Sequence, residues 1–128
     1  MDFVLRPRSG LFEPNADVYV DDAAGRVVVK VEIAGAEPDS LRVEVRERSL
    51  VISGTRRGGV SCAGSIVQKE IASGGFSKEV HLPAAVRFEQ IVADYDDGML
   101  VVALPISPTQ YVPSTRTEIR MIVKRTLV

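Results

Sequence analysis

Apolar and polar residues alternate along this chain with a period of two, and that pattern limits its fold more than any other feature. Val27, Val29, Val31 and Ile33 alternate with Arg26, Val28, Lys30 and Glu32, and Leu41, Val43 and Val45 alternate with Arg42, Glu44 and Arg46. Successive side chains of a strand point to opposite faces, so one set enters a core and the other meets solvent. Asp17-Val18-Tyr19-Val20 reads as a shorter strand, set off from the next by Asp22-Ala23-Ala24-Gly25. Leu50-Val51-Ile52-Ser53 follows the polar turn Arg46-Glu47-Arg48-Ser49. Downstream, Phe76, Lys78, Val80 and Leu82 share a face that Pro83 ends, and Ile91, Ala93 and Tyr95 share the next. Asp97-Gly98 then turns the chain into Met99-Leu100-Val101-Val102-Ala103-Leu104, closed by Pro105. Asp-Gly between two apolar runs is a strong hairpin signal. Helical spacing is missing; 37–41 and 84–90 have room for single turns. The expectation is an all-β chain folded as an immunoglobulin-like antiparallel sandwich.

Three segments do not fit such a sandwich. Residues 1–14 form a short arm carrying Phe3, Leu5, Leu11 and Phe12. Residues 55–68 are long for a hairpin loop and rich in Gly and Ser, and loops of that length are usually functional or paired elsewhere. Residues 107–117 hold Pro108 and Pro113 and few apolar side chains, which reads as an extended linker. Beyond it, Ile119-Arg120-Met121-Ile122-Val123 is an apolar tail that needs a groove to dock in. The expected organisation is an arm at 1–14, the sandwich at 15–106 and a C-terminal extension at 107–128.

The composition narrows the function by exclusion. Lys+Arg is 16 and Asp+Glu is 17, for a net charge of -1, which argues against nucleic acid or an anionic membrane as partner. One Cys and one His exclude a disulfide framework within the chain and the usual Cys/His zinc sites. His81 falls on an outward strand face with neither a nucleophile nor an orienting acid suggested beside it. Cys62 has no resolving partner for redox work. Arg57-Gly58-Gly59 lacks the pattern of a phosphate loop. Asp94, Asp96 and Asp97 lack the closing Glu of a calcium loop, and Leu104-Pro105 stands in its place. The chain therefore reads as a non-enzyme without cofactor or metal. No apolar run reaches the ~18 residues of a membrane span, and Arg6, Pro7 and Arg8 interrupt the N-terminal apolar patch. A cytoplasmic protein is expected, consistent with an unpaired Cys.

With its strands placed, the sequence resembles the small heat-shock protein family and its α-crystallin domain. The run from Ile91 through Ala93-Asp94-Tyr95-Asp96-Asp97-Gly98-Met99-Leu100 to Leu104-Pro105 looks like the family's signature, in which a Leu-rich strand follows an acid-Gly turn and ends at Pro. Gly75-Phe76-Ser77-Lys78-Glu79-Val80-His81-Leu82-Pro83 looks like the Gly-x-Phe-x-Arg-x-apolar-x-Leu-Pro strand, with Lys78 where the family has Arg. Val31-Glu32-Ile33-Ala34-Gly35 followed by Leu41-Arg42-Val43-Glu44-Val45 is similar to the family's early turn and strand pair. Any one motif is weak; three in order over 15–105 are specific.

The resemblance implies a stress-response holdase that binds partly unfolded client proteins without ATP. It also implies a homodimer formed by strand exchange through the long loop, here Ile66, Val67 and Gln68, with Lys78 near that contact. Arg and Lys are not equivalent in such a place, because Lys lacks the planar fork of donors. Higher homo-oligomers follow from the tail motif, Ile119 with Met121 or Met121 with Val123 in a second register. Its groove on a neighbouring subunit maps to Leu41, Val43 and Val45 on one side and Ile91 and Ala93 on the other. Phe3, Leu5 and Phe12 become the client-binding arm, or else cover their own subunit. Two other readings of the same sandwich are a structural assembly subunit and a CS-domain-like co-chaperone.

Overall fold

The structure is a computed structural model that describes residues 11–58, 64–108, 117–119 and 121–123. The alternating runs form strands where the sequence places them. These are β1 (Asn15–Asp21), β2 (Arg26–Glu32), β3 (Arg42–Arg46), β4 (Ser49–Arg56), β5 (Gly74–His81), β6 (Val92–Asp96) and β7 (Met99–Pro105), with β8 (Thr117–Ile119) and β9 (Met121–Val123) from the tail. Two 3-10 turns, Pro38–Ser40 and Phe88–Gln90, occupy the places where single turns are expected. One sheet runs β1-β2-β7-β6-β9 and the other β5-β4-β3-β8. The expected all-β sandwich is thus the fold found. Its pairs are antiparallel except β6 with β9.

Register puts the apolar sets together. Val27, Val29 and Val31 face Leu104, Val102 and Leu100 across β2 and β7, and Val43 and Val45 face Ile52 and Leu50 across β3 and β4. All ten are fully buried, with Ile33, Leu82, Ala93 and Phe76 in the same cluster. At about 25 cal/mol per Å² of apolar area removed from water, this inner layer is the main favourable term in folding.

The same hairpin is built twice. A 3-10 turn, a short strand, a two-residue turn and a longer strand follow one another at Pro38–Ser40, β3 and β4, and again at Phe88–Gln90, β6 and β7. Leu41, Val43, Val45, Leu50 and Ile52 of the first correspond to Ile91, Ala93, Tyr95, Leu100 and Val102 of the second, all of them buried. The second turn uses Asp97 at φ 54° and Gly98 at φ 75°, the left-handed pair that matches strand twist. Gly98 is also needed for space, since a Cβ there would lie 3.2 Å from Ala34 Cα. The first turn has Glu47 at φ 54° without a glycine; it is held by Leu82 N donating to Arg48 O at 2.7 Å and Arg48 Nη2 donating to Leu82 O at 3.1 Å.

Between the sheets, the crossing from β2 to β3 is tied down by one buried side chain. Tyr95 Oη donates to Ile33 O at 2.8 Å and accepts from Ala36 N at 3.1 Å. Buried backbone groups need such partners, and losing one costs about 1–3 kcal/mol. Tyr95→Phe, which keeps the ring and removes the hydroxyl, is expected to lower unfolding stability by about 1–3 kcal/mol in urea titration, and an unchanged midpoint would show that this crossing does not depend on Tyr95.

Candidate functional site

A sandwich made of two open sheets has four edge strands, and each exposes unpaired N–H and C=O groups. Here the edges are β1 and β6 of one sheet and β5 and β3 of the other, once β8 and β9 are set aside as additions. What lies on each edge defines the candidate sites.

The edges β3 and β6 carry the tail. β8 runs antiparallel to β3, with Ile119 opposite Val43, Glu118 opposite Glu44 and Thr117 opposite Val45. β9 runs parallel to β6, with Met121 opposite Ala93, Ile122 opposite Asp94 and Val123 opposite Tyr95. The two tail strands, one residue apart, thus belong to different sheets and close one side of the sandwich. Leu41, Val43, Val45, Ile91 and Ala93 sit on the inward faces beside that side. Ile119, Met121 and Val123 all stand in the registered stretch, so the two tail registers read from the sequence occupy successive pieces of one docked segment. Tyr95 continues the wall beyond Ala93 and is 8% exposed. The motif resemblance does not include it in the groove; its strand-face alternation with Ile91 and Ala93 is the sequence signal that does.

The edge β5 carries the arm. Phe12 N donates to Gly75 O at 3.1 Å and Ser77 N donates to Phe12 O at 3.0 Å, a short parallel pairing. The Phe12 ring is half-buried, 5.6 Å from that of Phe76, and the Arg56 guanidinium lies over it at 4.7 Å. A Cβ at Gly75 would come within 2.5 Å of Leu11 Cδ2, the mobile end of an arm side chain. Lys78 lies opposite buried Ile52 in the inward row, and its ammonium reaches Glu13 Oε1 at 3.8 Å. An inward-pointing charge on an edge strand blocks edge-to-edge growth. Phe12 therefore covers its own subunit here, while Phe3 and Leu5 lie outside the described residues, as does Cys62.

The fourth edge, β1, has no strand on its outer side among the described residues. Val18, Tyr19 and Val20 on it are 42%, 48% and 49% exposed. Tyr19 Oη donates to Asp17 Oδ2 at 3.3 Å, and the negative charge of Asp17, then this bond, raises the phenol's pKa above its ordinary value. Tyr19 begins an apolar row that crosses the outer face of the sheet through Val28 and Ala103 to Val92. Val28 belongs to the outward set of β2, so alternation alone gave no sign of this row.

Among its described residues the long loop supplies exposed apolar groups without a strand. Ile66, Val67 and Ile71 are 77%, 96% and 74% exposed. Gln68 Nε2 bonds the Glu70 carboxylate. Arg56 Nε donates to Ala72 O at 2.8 Å and fixes the far end of the loop, and Arg57 pairs with Glu37 at 3.7 Å. The structure thus brings the tail and groove residues together, but Lys78 pairs with the arm and not with Ile66–Gln68 of the same chain. Among the described residues no group of three His, Cys, Asp or Glu is placed to hold a metal, and no helix is long and apolar enough to cross a membrane.

Comparison with known proteins agrees with this geometry. Residues 19–121 match the Hsp20/alpha crystallin family. The 16.0 kDa peroxisomal heat shock protein of Oryza sativa subsp. japonica is 33% identical over 100 residues, covering 70% of this chain and 66% of its own length. Heat shock protein 16 of Schizosaccharomyces pombe is 30% identical over 99 residues, covering 75% and 68%. The chain spans about two thirds of the length of these curated relatives. The solved structure of heat shock protein 16.0 from Schizosaccharomyces pombe matches with a TM-score of 0.65 at 26% identity, covering 88% of this chain and 99% of that one.

The arm contact generates a direct test. Phe12→Ala is expected to cost about 1–2 kcal/mol, below the ~3–5 of a fully buried Phe, and to speed amide exchange at Ser77. Unchanged stability with a still-protected Ser77 amide would remove the arm as the cover of β5.

Proposed function

This chain belongs to the Hsp20/alpha crystallin family, and from that premise we propose that it is an ATP-independent holdase, which binds partly unfolded proteins and keeps them from aggregating. The observation that carries the reading is the state of the four edges. Two are covered by tail strands of three residues each, one by a single arm residue, and one by no strand among the described residues. A backbone hydrogen bond contributes only about 0.5–1.5 kcal/mol net, so covers this short are exchangeable. A released edge can add an extended segment of a non-native chain, with backbone bonds giving affinity and alternate pockets accepting varied side chains. The apolar row from Tyr19 to Val92 offers further apolar surface to clients, and Phe3 and Leu5 of the arm are assigned the same role from the sequence, whereas Phe12 is engaged on its own β5. No chemistry is required: preferential binding of non-native states shifts the population by mass action. The reading includes no enzyme activity, no cofactor, no nucleic-acid or membrane partner, and a cytoplasmic location in keeping with a single cysteine.

The same logic supports a homodimer. β1 has no strand on its outer side among the described residues and exposes Val18, Tyr19 and Val20, and the exposed loop around Ile66, Val67 and Gln68 would add to it from a second copy. In this reading Lys78 stands at the border of the contact through the arm it holds. Higher homo-oligomers arise when tails engage the groove of a neighbour.

Two measurements check the proposal. Light scattering of a heat-labile client, without ATP, is expected to show aggregation suppressed as this protein reaches molar excess; no suppression at any excess would sink the holdase reading. Val67→Pro removes a ladder donor at a fully exposed site. By multi-angle scattering it is expected to shift dimer to monomer, whereas an unchanged mass would rule out pairing through this loop.

A further inference from the structure

We propose that the outer face of the β1-β2-β7-β6 sheet selects clients, and that it prefers amphipathic helical segments whose apolar stripe is flanked by Lys or Arg. The inference rests on the holdase reading and adds which segments of a non-native chain are taken and where they lie.

Register builds the apolar part of the face. Tyr19 stands opposite Val28, Val28 opposite Ala103 and Ala103 opposite Val92, on four adjacent strands. All four alternate with the buried set and so point out of the sandwich. Tyr19 and Val92, at the two ends, are 48% and 44% exposed, and Val28 and Ala103 between them are partly exposed. Polar side chains are the ordinary choice on the solvated face of an antiparallel sheet; here four apolar ones make a continuous strip. At ~4.8 Å between neighbouring strands the strip is roughly 14 Å long, close to three helical turns of ~5.4 Å. A helix presenting apolar residues at i, i+4 and i+7 matches that length.

Charge builds the rest. The outward positions of these strands hold Asp17, Asp21, Glu32, Asp94 and Asp96 against Arg26 and Lys30. Asp21 takes up Arg26 at 3.5 Å. On β3, β4 and β5 of the other sheet the outward charges cancel, with Arg42 and Arg46 against Glu44 and Glu79. A chain of net charge -1 thus gathers negative charge on the face that also carries the strip. Asp17 and Asp94 end the row beside the strip, and Glu32 and Asp96 stand in the row beyond it. Asp94 and Asp96 make further contacts of their own, while Asp17 and Glu32 are exposed. Asp17 is also the first cause of the raised pKa of the Tyr19 phenol, a mark of negative potential at that end of the strip.

The two parts act together. The strip supplies the contact area, and the carboxylates beside it attract a basic flank and repel an acidic one, so they set the choice of partner and the rate of encounter. The face lies at right angles to the strand edges. A strand added to β1 from a second copy takes up backbone groups and leaves these outward side chains uncovered, so segment binding and dimer formation do not compete.

Two synthetic peptides of about 15 residues test this, with the same Leu stripe at helical spacing and flanked either by Lys or by Glu. Each is titrated against the full chain at low salt by fluorescence anisotropy, with circular dichroism to check that every variant is folded. The Lys-flanked peptide is expected to bind about tenfold more tightly, and the gap is expected to fall to about threefold or less in Asp17→Asn with Glu32→Gln, or on adding about 0.5 M salt. Tyr19→Ser with Val92→Ser, at the exposed ends of the strip, is expected to weaken both peptides by about fivefold or more. Equal affinity for the two peptides, or a gap that survives the charge-neutral variant, would overturn the inference. Unchanged peptide affinity in Tyr19→Ser with Val92→Ser, with aggregation of a heat-labile client still suppressed, would overturn it too while leaving the holdase reading in place. Neither peptide binding nor suppression of aggregation would remove both.

Discussion

Unpaired backbone at the strand edges is the constraint on which the rest of this structure depends. The inner faces are settled by alternation: Val27, Val29, Val31, Val43, Val45 and their partners bury themselves against one another and need nothing further. The edges are different. Each presents donors and acceptors that water must satisfy or another strand must take up. Three of the four are met from within the chain, by Phe12 on β5, by β8 on β3 and by β9 on β6. Segments that look like leftovers beside a compact sandwich are therefore its edge covers.

The covers are short, and that gives them a functional meaning. A long added strand would be permanent; three residues on each of two sheets hold a tail in place without fixing it there. Charge plays a supporting part. Lys78 keeps an ammonium in the inward row of an edge strand and ties it to Glu13, which makes β5 a poor template for another sheet and a good seat for the arm. β1, by contrast, keeps Val18, Tyr19 and Val20 exposed. The edges thus differ: one is occupied by the arm, one keeps exposed apolar residues, and two lie under tail strands of three residues each.

Most of the sandwich was legible in the sequence because period-two alternation with Asp-Gly and Pro punctuation admits few other folds. Strands, the Asp97-Gly98 turn and both single 3-10 turns lie where those signals place them. The hairpin turn at Glu47 was legible only as a polar interruption, since its left-handed residue is not a glycine and its hold comes from distant Leu82. The groove was readable as Leu41, Val43, Val45, Ile91 and Ala93 through motif resemblance. Its extension to Tyr95 was legible from the face that residue shares with Ile91 and Ala93, but the commitment of the Tyr95 hydroxyl to Ile33 and Ala36 across the sandwich was not. The apolar row from Tyr19 to Val92 was invisible for a similar reason: it runs across strands, at right angles to the direction in which a sequence is read. The role of Phe12 stayed open between client and edge until its bonds to Gly75 and Ser77 were seen.

If β3 and β6 are edges kept under tail cover, amide hydrogen exchange on the full chain and on a chain ending at Ser114 will show it. Removing the tail is expected to speed exchange in Arg42–Arg46 and Val92–Asp96 while Arg26–Glu32 and Met99–Pro105, paired on both sides within the sandwich, keep their protection. Equal protection of β3 and β6 in the two chains would contradict it.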